Sequence, residues 1–82
     1  EPTELPVIVD LAFLLPRPQR FLGGDEHATR PDIDKLARAG LDALTGIAYL
    51  DDGLVFQMWV TKHYAKRGEP VGVRVSVNEL AL

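Results

Sequence analysis

Residues 31–53, PDIDKLARAGLDALTGIAYLDDG, combine a helical pattern with aspartate pairs before and after it, and the fold of the chain can be worked out from where this helix lies. Apolar residues recur from Ile33 at spacings of three and four, which is typical of one buried helix face. Gly46 follows the last of them, as expected of a glycine just beyond a helix end. Four carboxylates around one helix repel each other, so the segment needs a compensating metal ion, basic side chain or water.

The stretches on either side of this helix alternate as β-strands do. Residues 5–15, LPVIVDLAFLL, predict a strand that is mostly buried on both faces. IAYL and LVFQMWVTKHY flank an Asp-Gly pair and predict a hairpin, and VGVRVSV at residues 71–77 predicts a last strand with one exposed face. We therefore expect an α+β fold in two layers, with one main helix on a mixed or largely antiparallel sheet of about four strands.

The composition is that of a soluble globular protein in a single domain, residues 1–82. The sequence is 46% hydrophobic and 26% charged. No apolar run approaches the roughly 18 residues of a membrane span, so no membrane association is expected. The absence of cysteine excludes disulfides and thiolate metal sites, and the cytoplasm is the default location. A chain this short buries a modest core, which favours association with a second copy.

The net charge of −3 argues at first against a nucleic-acid partner. If Asp32, Asp34, Asp51 and Asp52 are set aside as metal ligands, eight acidic residues face nine basic ones. Composition therefore leaves a DNA partner open.

The spacing of the first aspartate pair limits how it can act. Two residues i and i+2 within a helix point about 200° apart, so Asp32 and Asp34 converge only if the chain is still extended through Asp32. The preceding proline favours that geometry, and Asp34 would then be the N-cap. At most one residue of the adjacent pair, Asp51 and Asp52, can join them. The alternative interpretation is that the aspartates have only structural roles. One of them would then cap the helix and one would form a turn, which leaves the other two unexplained.

The string PDIDKLARAGLDALTG, followed five residues later by DDG, resembles the RusA-type Holliday junction resolvases. Their pattern runs Pro-Asp-x-Asp-Asn, a lysine three residues on, Leu-Asp-Ala-Leu, then Asp-Asp at the next turn. A first strand ending in LPRP and a valine-rich last strand extend the resemblance over nearly the whole chain. It implies a small, homodimeric, Mg²⁺-dependent endonuclease, often phage-borne, that acts in the bacterial cytoplasm on branched DNA and resolves four-way junctions.

Carried over by position, the resemblance assigns three metal-binding, catalytic aspartates: Asp32, Asp34 and Asp52. Asp51 would be outer-shell or structural. Lys35, where asparagine is usual, would also lie in the outer shell, and Arg38 stands where lysine is usual. Because arginine stays protonated, Arg38 would act by charge, on the phosphate or on a carboxylate. Its position one turn beyond Asp34 allows those two side chains to pair.

A loop of about 16 residues, PRPQRFLGGDEHATRP, separates the first strand from the helix, and such long loops usually serve a function. Its arginines, with two lysines, are the candidate DNA contacts: Arg17, Arg20, Arg30, Lys35 and Lys62. The other interpretation is that they are solvated surface residues. Relatives usually carry a longer segment here, so we expect the 82-residue sequence to omit a mobile loop near residues 22–24 and the true N-terminus.

The leading hypothesis is therefore a metal-dependent, structure-selective DNA endonuclease. Magnesium suits an all-oxygen site better than zinc does. The alternative is a catalytically silent branched-DNA-binding or assembly module, in which Lys35 and Arg38 neutralise the aspartates. A third hypothesis is a small ligand-binding domain with no nucleic-acid role.

Overall fold

The computed structural model describes residues 1–18, 24 and 28–80. Its elements, in chain order, are β1 (Val7–Leu15), α1 (Ile33–Leu44), a 3₁₀ helix (Asp52–Leu54), β2 (Val55–Tyr64) and β3 (Gly72–Glu79). One helix on a mixed sheet confirms the predicted α+β class. The described residues form three strands, where about four were predicted.

Strand β1 lies at the centre of the sheet, in the order β2-β1-β3. It pairs in parallel with β2, where Leu11 faces Val60, and antiparallel with β3, where Leu11 faces Val75. Two parallel neighbouring strands need a long crossover connection. Between β1 and β2 that connection includes helix α1. Strands β2 and β3 are consecutive in sequence but lie at opposite edges of the sheet.

The predicted hairpin around the Asp-Gly pair is wrong. Residues 46–48 form a turn rather than a strand, and the Asp-Gly pair begins the 3₁₀ helix. The Asp51 carboxylate accepts a 2.9 Å hydrogen bond from the Gly53 N–H and so caps that helix. Asx capping of this kind competes with a two-residue hairpin turn, and β2 finds its partner in β1 instead.

The core forms where α1 covers one face of the sheet. Val7, Val9 and Leu11 of β1 are completely buried there, together with Tyr49. The opposite face of β1 is only half-buried and exposes Asp10, so the prediction of burial on both faces holds for one face. Gly40 permits the close approach of α1, because a β-carbon at that position would overlap the Leu11 side chain.

Helix α1 begins and ends close to the predicted positions. Asp32 is its N-cap with extended dihedral angles (φ −71°, ψ 148°), which confirms that the chain is extended there. Asp34 lies within the first helical turn, so its prediction as the N-cap is wrong. Thr45 is the C-cap, and Gly46 follows it at φ 83°, in the left-handed region that favours glycine.

The helix leaves part of the apolar sheet face uncovered on the side of β3. Val73 and Val75 share the face of Leu11 yet are 46% and 48% exposed. Between them and α1 lies an apolar cleft of about 180 Å³, to which Gly40 and Ala43 also contribute. Within the described ranges, no helix has the length and apolarity that crossing a membrane requires.

Candidate functional site

The start of helix α1 presents two carboxylates to solvent. Asp32 and Asp34 are exposed, and Asp32 makes no side-chain capping bond. Among the residues that the structure describes, neither carboxylate has a hydrogen-bond or ion-pair partner. Asp34 in the first turn lies near the positive end of the helix dipole, which partly offsets its charge. No other described side chain therefore competes for these two carboxylates.

Arg38 connects α1 to the second aspartate pair. Its Nη1 donates a 2.9 Å hydrogen bond to Oδ2 of Asp52 and lies 3.6 Å from Oδ1 of Asp42, one helical turn on. The predicted pairing with Asp34 is not among the ion pairs of the described residues. The hydrogen bond that Arg38 donates to Asp52, followed by the negative charges of Asp42 and Asp52, raises the pKa of Arg38 above its ordinary value. Arg38 therefore acts as a fixed cation.

The 3₁₀ helix before β2 sets the positions of Asp51 and Asp52. The Asp51 carboxylate accepts the hydrogen bond from the Gly53 N–H and so stabilises the 3₁₀ helix. The Asp52 carboxylate accepts its hydrogen bond from Arg38. An open groove of about 300 Å³ runs between α1 and the start of β2. Its lining consists of Arg38, Leu41, Asp52, Val55, Phe56, Gln57 and Met58. The Arg38–Asp52 pair thus forms part of the lining of an open groove beside α1.

The chemistry of the candidate ligand atoms suits a magnesium ion. All the candidate ligands are carboxylate oxygens, the ligands that hard cations prefer, and Asp32 and Asp34 have no competing partner within the described chain. The third candidate, Asp52, is bound to Arg38. Across the described residues, no three His, Cys, Asp or Glu side chains stand close enough together to hold a metal ion. The assignment of these aspartates as ligands stays a prediction.

Lys62 has a contact that the sequence did not predict. Its Nζ donates hydrogen bonds to the backbone carbonyl oxygens of Thr29 and, at 2.8 Å, Pro31, in the segment just before α1. The period-two pattern of β2 was the available signal, because Met58 and Val60 pack against the core and Lys62 shares their face. The contact itself joins residues more than 30 positions apart and depends on the tertiary fold.

The other predicted DNA contacts lie in different surroundings. Arg17 Nε donates to the Ala65 carbonyl at 3.1 Å, and its guanidinium lies 5.5 Å from the centre of the Tyr64 ring. Arg30 and Lys35 are exposed beside the start of α1. Arg20 lies outside the described residues, as do residues 22 and 23 of the predicted mobile loop. The DNA-binding assignments stay predictions.

Comparison with known proteins adds one finding. The family model described as endodeoxyribonuclease RusA matches residues 1–78 of the 82-residue chain. No match was found among curated proteins or among solved structures.

Proposed function

The chain belongs to the RusA endodeoxyribonuclease family, and we infer that it is a Mg²⁺-dependent, structure-selective endonuclease that resolves four-way DNA junctions by paired phosphodiester cleavage. It would act in the cytoplasm of a bacterium, as a host or a phage protein. The Asp32, Asp34 and Asp52 carboxylates would hold the metal ion.

One observation carries this proposal: Arg38 joins Asp52 to the same helix whose N-cap and first turn present two carboxylates without partners in the described chain. Asp34 and Arg38 are one helical turn apart, so the residue that binds Asp52 lies about one turn from the helix end that carries the aspartates. The Arg38 guanidinium offsets the negative charge of Asp52 while no cation is bound there.

Bound Mg²⁺ would supply water activation and charge stabilisation at the scissile phosphate. The protein side chains supply the rest. Arg38 remains protonated, so it neither takes nor gives the proton, and its guanidinium would stabilise the negative charge that develops on the phosphate. Asp51 would keep the 3₁₀ helix in place and thereby hold Asp52 at the groove.

The basic residues around the site would contact the DNA backbone. Arg30 and Lys35 flank the two aspartates in sequence and are exposed, so they can reach phosphates on either side of the cut. Arg17 is oriented by Ala65 and Tyr64, and Arg20 belongs to the same loop in sequence. Such contacts position the substrate and read no sequence.

The apolar cleft between α1 and β3 supports a homodimer. Val73 and Val75 expose nearly half of their surface next to the cleft, and burying them against a second copy would add the apolar contact that a small core lacks. A dimer with two-fold symmetry matches a four-way junction, where two opposed strands must be cut.

The runner-up is a silent branched-DNA-binding module, which the Arg38–Asp52 pair favours because an internal cation already neutralises one aspartate. A labelled four-way junction incubated with and without Mg²⁺ separates the two functions. The resolvase produces paired cuts only with the metal, and Asp34→Asn abolishes them. A silent module retains the junction in a salt-dependent manner and cuts nothing under either condition.

A further inference from the structure

We propose that Lys62 is a positioning residue that holds the segment before α1 on β2 and so sets the placement of Asp32 and Asp34. The match to the family model assigns no role to Lys62. The sequence analysis placed Lys62 among the candidate DNA contacts. The inference deepens the proposed function and rests on it.

The contact has the geometry of a clamp. The Lys62 ammonium binds the carbonyl oxygens of Thr29 and Pro31, the second of which immediately precedes Asp32. Lys62 is half-buried on the helix-facing side of β2, where its backbone is paired with Phe13. The ammonium group has three N–H donors, and two of them bind one short stretch of backbone. These two hydrogen bonds fix that stretch relative to the strand.

Strand β2 and the 3₁₀ helix before it thereby hold α1 at two points. In the 3₁₀ helix Asp52 binds Arg38, and near the end of β2 Lys62 binds the chain before α1. Asp32 and Asp34 lie between these two attachments along the chain. Loss of the Lys62 attachment frees the N-terminal side of the helix, while the Arg38 attachment remains.

Positioning and charge predict opposite effects on metal binding. If Lys62 acted only as a nearby cation, its removal would reduce repulsion and tighten Mg²⁺ binding. If it orients the aspartates, its removal weakens Mg²⁺ binding, by about 10-fold or more, as for other groups that orient metal ligands. If Lys62 contacted DNA instead, its removal would lower the affinity for the junction and make that affinity less dependent on salt.

The test compares Lys62→Met, Lys62→Arg and, as a matched control, Lys66→Met, which removes the same charge from the turn after the same strand. Mg²⁺ affinity is measured by calorimetry on the DNA-free protein, and junction affinity is measured in EDTA at several salt concentrations. We expect weaker Mg²⁺ binding in Lys62→Met, substantial recovery in Lys62→Arg, and wild-type behaviour in Lys66→Met. Junction affinity in EDTA should stay close to wild type in all three.

Two results overturn the inference. One is that Lys62→Met binds Mg²⁺ as tightly as wild type or more tightly. The other is that Lys62→Met changes only the affinity for the junction and the salt dependence of that affinity. Failure of the proposed function has a different signature. In that case the wild-type protein itself binds no Mg²⁺, or Asp34→Asn binds it equally well. Thermal unfolding in EDTA checks that each variant is folded at the temperature of the titration.

Discussion

Arg38 on helix α1 and Asp52 on the 3₁₀ helix before β2 are joined by a 2.9 Å hydrogen bond between opposite charges. Both side chains are substantially exposed, at 61% and 39%, and ion pairs in water contribute little to stability. The pair can therefore open at small cost when a divalent cation or a phosphate offers either partner a stronger interaction.

Arg38 should contribute to cleavage through its charge. We expect Arg38→Lys to keep most of the activity, while Arg38→Gln loses about 10²- to 10³-fold in the rate constant for cleavage, as for other groups that stabilise a transition-state charge. Single-turnover cleavage of a labelled junction in Mg²⁺ measures the effect. Arg74→Gln is the matched control, since it breaks the exposed pair with Glu69 elsewhere on the protein. Full activity in Arg38→Gln would remove the residue from the mechanism.

The same substitution should strengthen metal binding. If Asp52 is a metal ligand, Arg38 would compete with the cation for it, so Arg38→Gln is expected to bind Mg²⁺ a few-fold more tightly even as it cuts more slowly. Calorimetric titration of the DNA-free protein measures this affinity. Weaker binding in Arg38→Gln would indicate that the arginine orients Asp52 for the metal rather than competing with it.

The sequence predicted the elements of the fold better than their pairing. The helix from Ile33 to Leu44 and the three strands follow from periodicity, which is a local property. The hairpin failed because the Asp51 side chain caps the 3₁₀ helix and because β2 pairs with β1, a choice that depends on distant residues. The motif predicts Asp32, Asp34 and Asp52 as metal ligands, and that assignment stays a prediction. The partners of Arg38 and Lys62 come from tertiary contacts that spacing does not encode.

Divalent metal should stabilise the fold, because a cation bound at the start of α1 would offset the repulsion between the Asp32 and Asp34 carboxylates. At a Mg²⁺ concentration about 100 times Kd, linkage predicts a gain of about 2.7 kcal/mol. For a domain of this size, that is a rise in Tm on the order of 10 °C. Thermal melts in EDTA and in Mg²⁺ should show the rise in wild type and in Asp10→Asn, an exposed control on β1, but not in Asp34→Asn. Equal shifts in all three proteins would rule out the proposed site.

Tyr49 should make the fold sensitive to alkali. It is completely buried, its hydroxyl donates a 3.2 Å hydrogen bond to the Leu41 carbonyl, and burial raises its pKa above the usual value near 10. Because the folded pKa is raised, the associated stability is complete below about pH 10 and is lost as pH rises through the folded pKa. Tyr49→Phe should cost about 0.5–1.5 kcal/mol at pH 7 and flatten the decline above pH 10. Urea unfolding at pH 7, 9 and 10.5 measures both effects, and an equally steep alkaline decline in Tyr49→Phe would contradict this role.

The apolar cleft beside β3 should be part of the dimer interface. Val75 faces α1 and is 48% exposed, whereas Ser76, the next residue, points to the opposite face of the same strand. A lysine at position 75 would place a charge in the interface, where its desolvation opposes association, so Val75→Lys should sediment as a monomer at micromolar concentration. Ser76→Lys adds the same charge outside the interface and should remain dimeric. Since a junction needs two cuts, the monomeric variant should also nick single strands without coordinated resolution. A wild-type monomer that still makes paired cuts would contradict the proposed assembly, and a dimeric Val75→Lys would place the interface elsewhere on the surface.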